Sequence, residues 1–332
     1  MSFAGELGEQ KIIEIIIEKL EKMPDMILPF GDDASAVEIG SGNVAVIKTD
    51  MLVGRVDLPP GMTPWHAARK AVVMNVSDLA AKGVKPIALL ASLGFPSDYK
   101  ITNIEQVGLG LNAGAREYDA YVIGGDTSEA SDLIISCMMF GIGRKKELIF
   151  RSGAKPGDIL AVTNWFGKTA AGLKIILEGL SVPEQLEKEL TQSVFMPKAR
   201  LKEGLSLANS RTASAAIDSS DGLALCLHEL SKRSNVGFLL NVVPVAPEVK
   251  RFAKLLRLDP RELALYGGEE YELVVTINPV KWWLAKQVVK KAGGDLIKIG
   301  YVTDGRRIVL KTRKEEISID ARGWEHFRKD SF

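Results

Sequence analysis

The chain has 332 residues, 46% of them apolar and 26% charged, with a formal net charge of +1. That length suits two domains, and the near-zero charge excludes a global field that would steer the protein to nucleic acid or a membrane surface. Two cysteines far apart in apolar settings, Cys137 and Cys226, exclude a disulfide framework and a Cys-based zinc site.

The first stretch, MSFAGELGEQKIIEIIIEKL, spaces Ile at helical intervals between Glu and Lys and lacks a signal-peptide layout. It predicts an amphipathic helix. FGDDASAV (30–37) then sets two carboxylates side by side after a glycine, which reads either as turn chemistry or as a metal ligand. NVAVIKTD (43–50) predicts a strand ending in a carboxylate. Residues 63–83 predict a long helix: Thr63 caps it, Pro64 fills its first turn and Gly83 ends it. Strands follow at 86–95, 120–126 and 133–143, with a helix at 102–118. The strands PIALLASLGF and LIISCMMFGIG carry few charges and predict burial on both faces.

RSGAKPGD (151–158) combines Gly, Pro and charge and marks the domain boundary, giving domains 1–150 and 151–332. Beyond it come a strand at 159–164, helices at 168–179 and 197–209, and a strand–acidic turn–helix unit at 214–235. A strand at 271–277, a helix at 281–294 and two last strands, LIKIGYV and RIVLKT, complete the chain. Hairpin-like pairs mixed with crossovers predict an α/β protein of α+β type, with two domains and mixed sheets.

Two stretches imitate nucleotide motifs. NWFGKTAAG (164–172) carries Gly-Lys-Thr, but Val162 stands where a P-loop needs its first glycine. The helix start there could still meet an anion. GLGLNAG (108–114) lies inside a helical pattern and has the wrong spacing for a dinucleotide fingerprint. His66, His228 and His326 make no metal spacing.

The carboxylates are more informative. Asp50 closes VIKTD, Asp126 closes VIGGD, Asp218 and Asp221 flank two serines in AIDSSDG, and Asp78 sits in MNVSDLAAKG. Any one of these can be a simple cap. Five acidic turns with small neighbours, and no His or Cys among them, point instead to a hard, oxygen-loving ion. Several Mg2+ ions would neutralise both the aspartates and a nucleoside triphosphate. GGEEYELV (267–274) adds Glu269 and Glu270 after a glycine pair that lets backbone approach a ligand.

The segments GDDAS, KTDMLV, NVSDLAAKG, IGGDTS, RSGAKPGD, AIDSSDGL, GGEEYEL and GWEHF occur in the order and approximate spacing of one family. Over nearly its whole length the chain resembles the thiamine-monophosphate kinases. They belong to the ATP-binding superfamily of aminoimidazole ribonucleotide synthetase, selenophosphate synthetase and a hydrogenase-maturation enzyme. The resemblance implies a homodimer built through a barrel-like interface of the N-terminal domain, with the C-terminal domain covering the nucleotide. It implies phosphorylation of thiamine monophosphate by ATP in the cytoplasm, where two buried thiols are at home.

By motif, Asp33, Thr49, Asp50, Asp78, Asp126 and Asp218 would hold Mg2+, with Asp221 taking a further ion. Gly125, Asp126, Arg151 and Ser220 would contact ATP, and Glu269 and Trp324 the thiamine moiety. Two positions depart from the family pattern. Asp57 stands where many members have a substrate-touching His. Lys48 replaces a frequent Ser, so it would ligate metal only through its carbonyl. No residue is assigned as a nucleophile: the reading is a direct in-line transfer without a phosphoenzyme. The alternatives are another ATP-dependent enzyme of this superfamily, such as aminoimidazole ribonucleotide synthetase, or a nucleotide-binding regulator without activity. No cysteine precedes Cys137, which disfavours selenophosphate synthetase.

Overall fold

The computed structural model describes residues 3–327. Two separate mixed sheets form. The first contains β1 (Ser35–Gly40), β2 (Asn43–Val53), β3 (Pro86–Phe95), β4 (Tyr121–Glu129) and β5 (Ile134–Arg144), in the order β1-β2-β5-β3-β4. Only β3 and β4 run parallel, joined by the crossover helix Ile101–Glu117. The second contains β6 (Ile159–Val162), β7 (Ala213–Asp218), β8 (Gly237–Leu240), β9 (Leu273–Ile277), β10 (Ile297–Thr303), β11 (Ile308–Lys311) and β12 (Glu316–Ser318). Its order is β12-β11-β8-β10-β6-β9-β7, with β8 and β11 parallel. Among the described residues no helix is long and apolar enough to cross a membrane.

The helix Pro64–Lys82 is the axis of the molecule. Thr63 Oγ1 accepts from His66 N at 3.3 Å, as its capping role requires. At the other end Gly83 takes φ 70°, Gly83 N donates to Ala80 O, and Val84 N donates to Leu79 O. These bonds satisfy carbonyls that the helix end would otherwise orphan. Of the residues from Ala67 to Lys82 only Met74 is not fully buried, because sheet 1, the helix Ile101–Glu117 and the second half of the chain all press on it. The glycines of GLGLNAG belong to this packing. A Cβ on Gly110 would lie 2.2 Å from Trp65 O, and one on Gly114 2.9 Å from Val72 Cβ. From the other side the helix Leu201–Ser210 crosses at Gly204, whose Cβ would lie 2.0 Å from Ala80 O. Leu79 and Ala80 share one core with Ala216, Leu273 and Val275 of the second sheet.

Several expectations are corrected. The N-terminal helix is two pieces, Ala4–Leu7 and Glu9–Ile17, broken where Gly8 adopts φ 76°. The helix expected from 197 starts at Leu201. Residues 197–199 are held outside the helix instead, Pro197 O accepting from Arg69 and Ala199 N donating to Tyr118 Oη. Asp50 and Asp126 do not end their strands: β2 and β4 each run three residues further. Sheet 1 is also covered on one face only within the chain. Met51, Ile87, Ile142, Tyr121 and Ile123 are exposed, and β4 is exposed along its whole length. The helix Pro64–Lys82 serves one face, and among the described residues no second helix layer covers the other.

Candidate active site

The adjacent pair Asp32–Asp33 is resolved by division of labour. Asp32 Oδ1 accepts from the Asp33 N–H at 2.8 Å and from Lys82 Nζ at 2.5 Å, and its Oδ2 accepts from Arg151 N at 3.2 Å. It therefore holds the turn. Asp33 receives the Arg151 guanidinium on Oδ1, from Nε at 2.8 Å and from Nη2 at 2.5 Å. Lys82 Nζ stands 2.6 Å from Asp33 Oδ2, close enough for an ion pair but not aligned for a hydrogen bond. Burial alone would raise the Asp33 carboxyl, but the charges of Arg151 and Lys82 outweigh it and hold the group below its ordinary value.

Asp78, from the middle of the long helix, and Asp218, at the end of β7, join Asp33. One carboxylate oxygen of each lies within 4.8 Å of the other two, and all three residues are buried. Ser77 Oγ donates to Asp218 Oδ2 at 2.8 Å. Lys48 Nζ stands 3.1 Å from Asp50 Oδ1 and 3.1 Å from Asp78 Oδ2. Burial, then the nearby carboxylates, push Asp78 well above the usual range despite Lys48, and push Asp218 up to about 6. Asp221 is raised to about 7 by burial, then by Glu9 and Asp218. Carboxylates crowded this way lack positive charge.

The donor set fits a hard divalent ion. It is all oxygen, Asp33 Oδ2 has no aligned donor, and the buried Ser219 Oγ has no hydrogen-bond partner among the described residues. Asp126 is not part of this group. It stands in one ladder row with Ser92, Ser136 and Met51, on the edge strand β4, about 14 Å from Met51 on β2 at ordinary strand spacing. Thr49 alternates with Lys48 and Asp50 along β2 and faces the uncovered side. Gly125 has a packing reason of its own, since a Cβ there would lie 1.9 Å from Ala91 O.

Beside the carboxylates opens a cleft of about 420 Å³ between the two halves of the chain, lined by Asp57, Pro59, Ala170, Tyr266, Glu269 and Trp324 among others. Its wall is tied to the acidic turn. Glu269 N donates to Ser220 O at 2.6 Å, and Trp324 N donates to Asp221 O at 3.1 Å. Glycines permit this contact: a Cβ on Gly268 would lie 2.6 Å from Ser220 O, and one on Gly323 2.2 Å from Asp221 O. Glu269 itself adopts φ 60°, a left-handed conformation unfavourable for a side chain of its size. Its carboxylate pairs with the buried Lys70. Asp57 turns one oxygen back to accept Val53 N at 2.7 Å, and burial raises its carboxyl.

The anion site allowed for at the Gly-Lys-Thr helix start is taken by the protein. Glu270 Oε1 accepts from Gly167 N at 2.7 Å and Thr169 N at 3.1 Å. Burial of this carboxyl pushes it up to about 8. Cys226 lies closer to the acidic group than its sequence position implied: its Sγ donates to Asp218 O at 3.3 Å. Burial pushes this thiol well up, which keeps it protonated and a poor nucleophile. Four residues escaped sequence reasoning: Lys70, Ser77, Lys82 and Glu9. Lys82 alone had a signal, as a lysine on a helix whose neighbours are all apolar or small.

Two family models match the chain, the AIR synthase related protein N-terminal domain over residues 31–143 and its C-terminal domain over residues 155–313. The thiamine-monophosphate kinase of Pyrococcus horikoshii is 36% identical over 325 residues, covering 97% of each chain. That of Aquifex aeolicus is 30% identical over 324 residues, covering 97% of this chain and 99% of the other. The solved structure of AaThiL complexed with AMPPCP and TMP has a TM-score of 0.86 to this chain at 28% identity, covering 98% of this chain and 99% of that one. A HypE–HypF complex, at 20% identity and a TM-score of 0.73, shares the fold.

Proposed function

This chain belongs to the thiamine-monophosphate kinase family, and from that membership we propose that it transfers the γ-phosphoryl group of ATP to thiamine monophosphate, giving ADP and thiamine diphosphate. The observation that carries the reading is a buried, oxygen-only carboxylate triad joined through the Ser220–Asp221 turn to a cleft with an aromatic wall. Asp33, Asp78 and Asp218 would hold Mg2+, with Asp50 and Asp221 at the margins of the group. What such an ion would supply, held by these residues, is neutralisation of the negative charge on the transferring phosphoryl group.

The protein's own part is positioning. Arg151 orients Asp33 and offers its remaining donors to a nucleotide, and Ser220 lies at the turn where the phosphates would pass. Trp324 presents a ring face to the flat, cationic thiamine, while Glu269, held by Lys70, supplies negative charge beside it. Asp57 reaches the same cleft with its second oxygen. Among the described residues no imidazole bonds to the carboxylate group, and burial keeps the Cys226 thiol beside it protonated, so the acceptor phosphate oxygen attacks directly.

Gly125 and Asp126 reach the site from a second copy. β1 pairs with β2 only as far as Ile47, so the edge of β2 carrying Lys48, Thr49 and Asp50 is open. β4 is open along its outer edge. Pairing β4 of one protomer with that segment of the other closes the two sheets into a barrel, covers the exposed apolar face and brings the partner copy's acidic strand to the open edge. We put the domain boundary at 150/151, on the glycine, proline and charge of RSGAKPGD, and the buried free thiols suit a cytoplasmic enzyme.

The decisive measurement is ADP release with ATP, Mg2+ and thiamine monophosphate. Turnover that requires all three is expected; ADP release unaffected by thiamine monophosphate would remove the kinase reading. A chiral γ-thiophosphate of ATP should invert at phosphorus, and net retention would indicate a phosphoenzyme.

A further inference from the structure

Lys48 enters the carboxylate group from β2 and meets other carboxylates than Lys82 and Arg151 do. Its side chain is only 22% exposed, and its Nζ bridges two carboxylates, Asp50 Oδ1 at 3.1 Å and Asp78 Oδ2 at 3.1 Å. The surroundings are strongly negative. Six carboxylates, those of Asp32, Asp33, Asp50, Asp78, Asp218 and Asp221, stand against three cations, Lys48, Lys82 and Arg151. Lys82 and Arg151 are committed to Asp32 and Asp33.

A divalent ion bridging Asp50 and Asp78 would need the space the ammonium fills. Mg2+ binds carboxylate oxygen at about 2.0–2.1 Å and keeps its waters, whereas Nζ already stands against the same two oxygens. Two cations there would be in mutual repulsion at close range. An ammonium compensates charge as an ion does but opens no coordination position to a ligand.

We propose that Lys48 is a resident counter-ion: its ammonium permanently fills the cation position between Asp50 and Asp78, so this chain takes one divalent ion fewer than the same chain with a neutral residue at 48. The proposal rests on the metal reading given above. It makes Lys48 a substitute for metal through its side chain, not a ligand through its carbonyl. It also makes the acidic site partly compensated in the absence of metal, so the apo protein depends less on divalent ions for its stability.

The test uses Mn2+ alone, without nucleotide, on the full chain. Bound Mn2+ is counted by equilibrium dialysis and by electron paramagnetic resonance for the wild type, Lys48→Ser, Lys48→Gln and Lys48→Arg. Lys48→Ser and Lys48→Gln should each bind one more Mn2+ per chain than the wild type, at an affinity at least about tenfold above any residual binding of that ion to the wild type, the size of one charge–charge interaction in a solvent-screened site. Lys48→Arg, which keeps the charge, should match the wild type. The difference in Tm between EDTA and Mn2+ should widen in the two neutral variants and not in Lys48→Arg. Equal counts and equal Tm differences for wild type and neutral variants overturn the proposal. So does a neutral variant whose only change is a higher KM for ATP, which would put Lys48 on the nucleotide. Absence of Mn2+ binding in all four proteins would overturn the metal reading itself, an outcome distinct from the other two.

Discussion

Replacing Lys82 by Met isolates what the buried cation does for the acidic turn. The Lys82 side chain is wholly inaccessible and its Nζ lies 2.5 Å from Asp32 Oδ1 and 2.6 Å from Asp33 Oδ2. Met fills nearly the same volume, so the change opens little cavity. What it removes is a charge facing two carboxylates out of water. Breaking a buried pair from one side costs roughly 3–5 kcal/mol, because the remaining charge is stranded. Here Arg151 still serves Asp33 with two N–H groups and Asp32 with its backbone N–H, which places the cost near the lower end, about 3 kcal/mol. A chain of ordinary stability stays folded after such a loss. The pH dependence has a definite sign. The Asp33 carboxyl is held below its ordinary value of 3.8 in the folded protein. Its contribution is therefore present above that value and is lost as pH falls through the lower folded value. Without Lys82 the carboxyl titrates nearer to or above its ordinary value, so the gap between wild type and Lys82→Met is widest near neutrality and closes as pH falls below about 4. Urea denaturation in EDTA at a series of pH values measures it, and added Mg2+ should restore part of the loss. A gap below about 1 kcal/mol at pH 7, or one independent of pH, would falsify the account of Asp32 and Asp33 as carboxylates held by a buried cation.

Gly204→Ala should lower the Tm, because its Cβ would lie 2.0 Å from the backbone Ala80 O; overpacking of about 1–3 kcal/mol exceeds the helix-propensity gain of about 1 kcal/mol, and an unchanged Tm would mean the two halves part easily. Glu270→Gln keeps an acceptor for Gly167 N and Thr169 N but cannot ionise. With its carboxyl raised to about 8 from an ordinary 4.5, the wild type loses stability from that group as pH rises between those values, so the variant should match it near pH 5 and exceed it at pH 9 in urea midpoint. Trp324→Ala should raise the KM for thiamine monophosphate and leave that for ATP nearly unchanged; equal rises for both would make the indole a packing support for the Asp221 turn, to which the Trp324 backbone N–H is bonded.

Much of this protein follows from local chemistry. The long helix is specified by Thr63, Pro64 and Gly83, and the strand Pro86–Phe95 by its apolar run, because caps and periodicity act within a few residues. The separate mixed sheets follow from the alternation of hairpins and crossovers. The acidic character of the site was equally legible, since Asp beside Gly or Ser in successive motifs can be read without knowing where the motifs meet. Their meeting is a tertiary matter. Asp33, Asp78 and Asp218 come together because β7 packs across the same helix that carries Asp78, whereas Asp126 stays outside the group on the open edge strand of the first sheet. Lys82 and Lys70 are buried cations, and apart from the apolar and small neighbours of Lys82 nothing local marks them for burial; only the carboxylates that face them from distant segments make it tolerable. Glu270 closing the Gly-Lys-Thr helix start, and one sheet face left uncovered, are likewise decided by what the rest of the chain does or does not bring to them. Sequence specifies the chemical groups and the short-range elements that carry them. Which charges face one another is set by packing, because electrostatic partners are chosen by distance in space and not by separation along the chain.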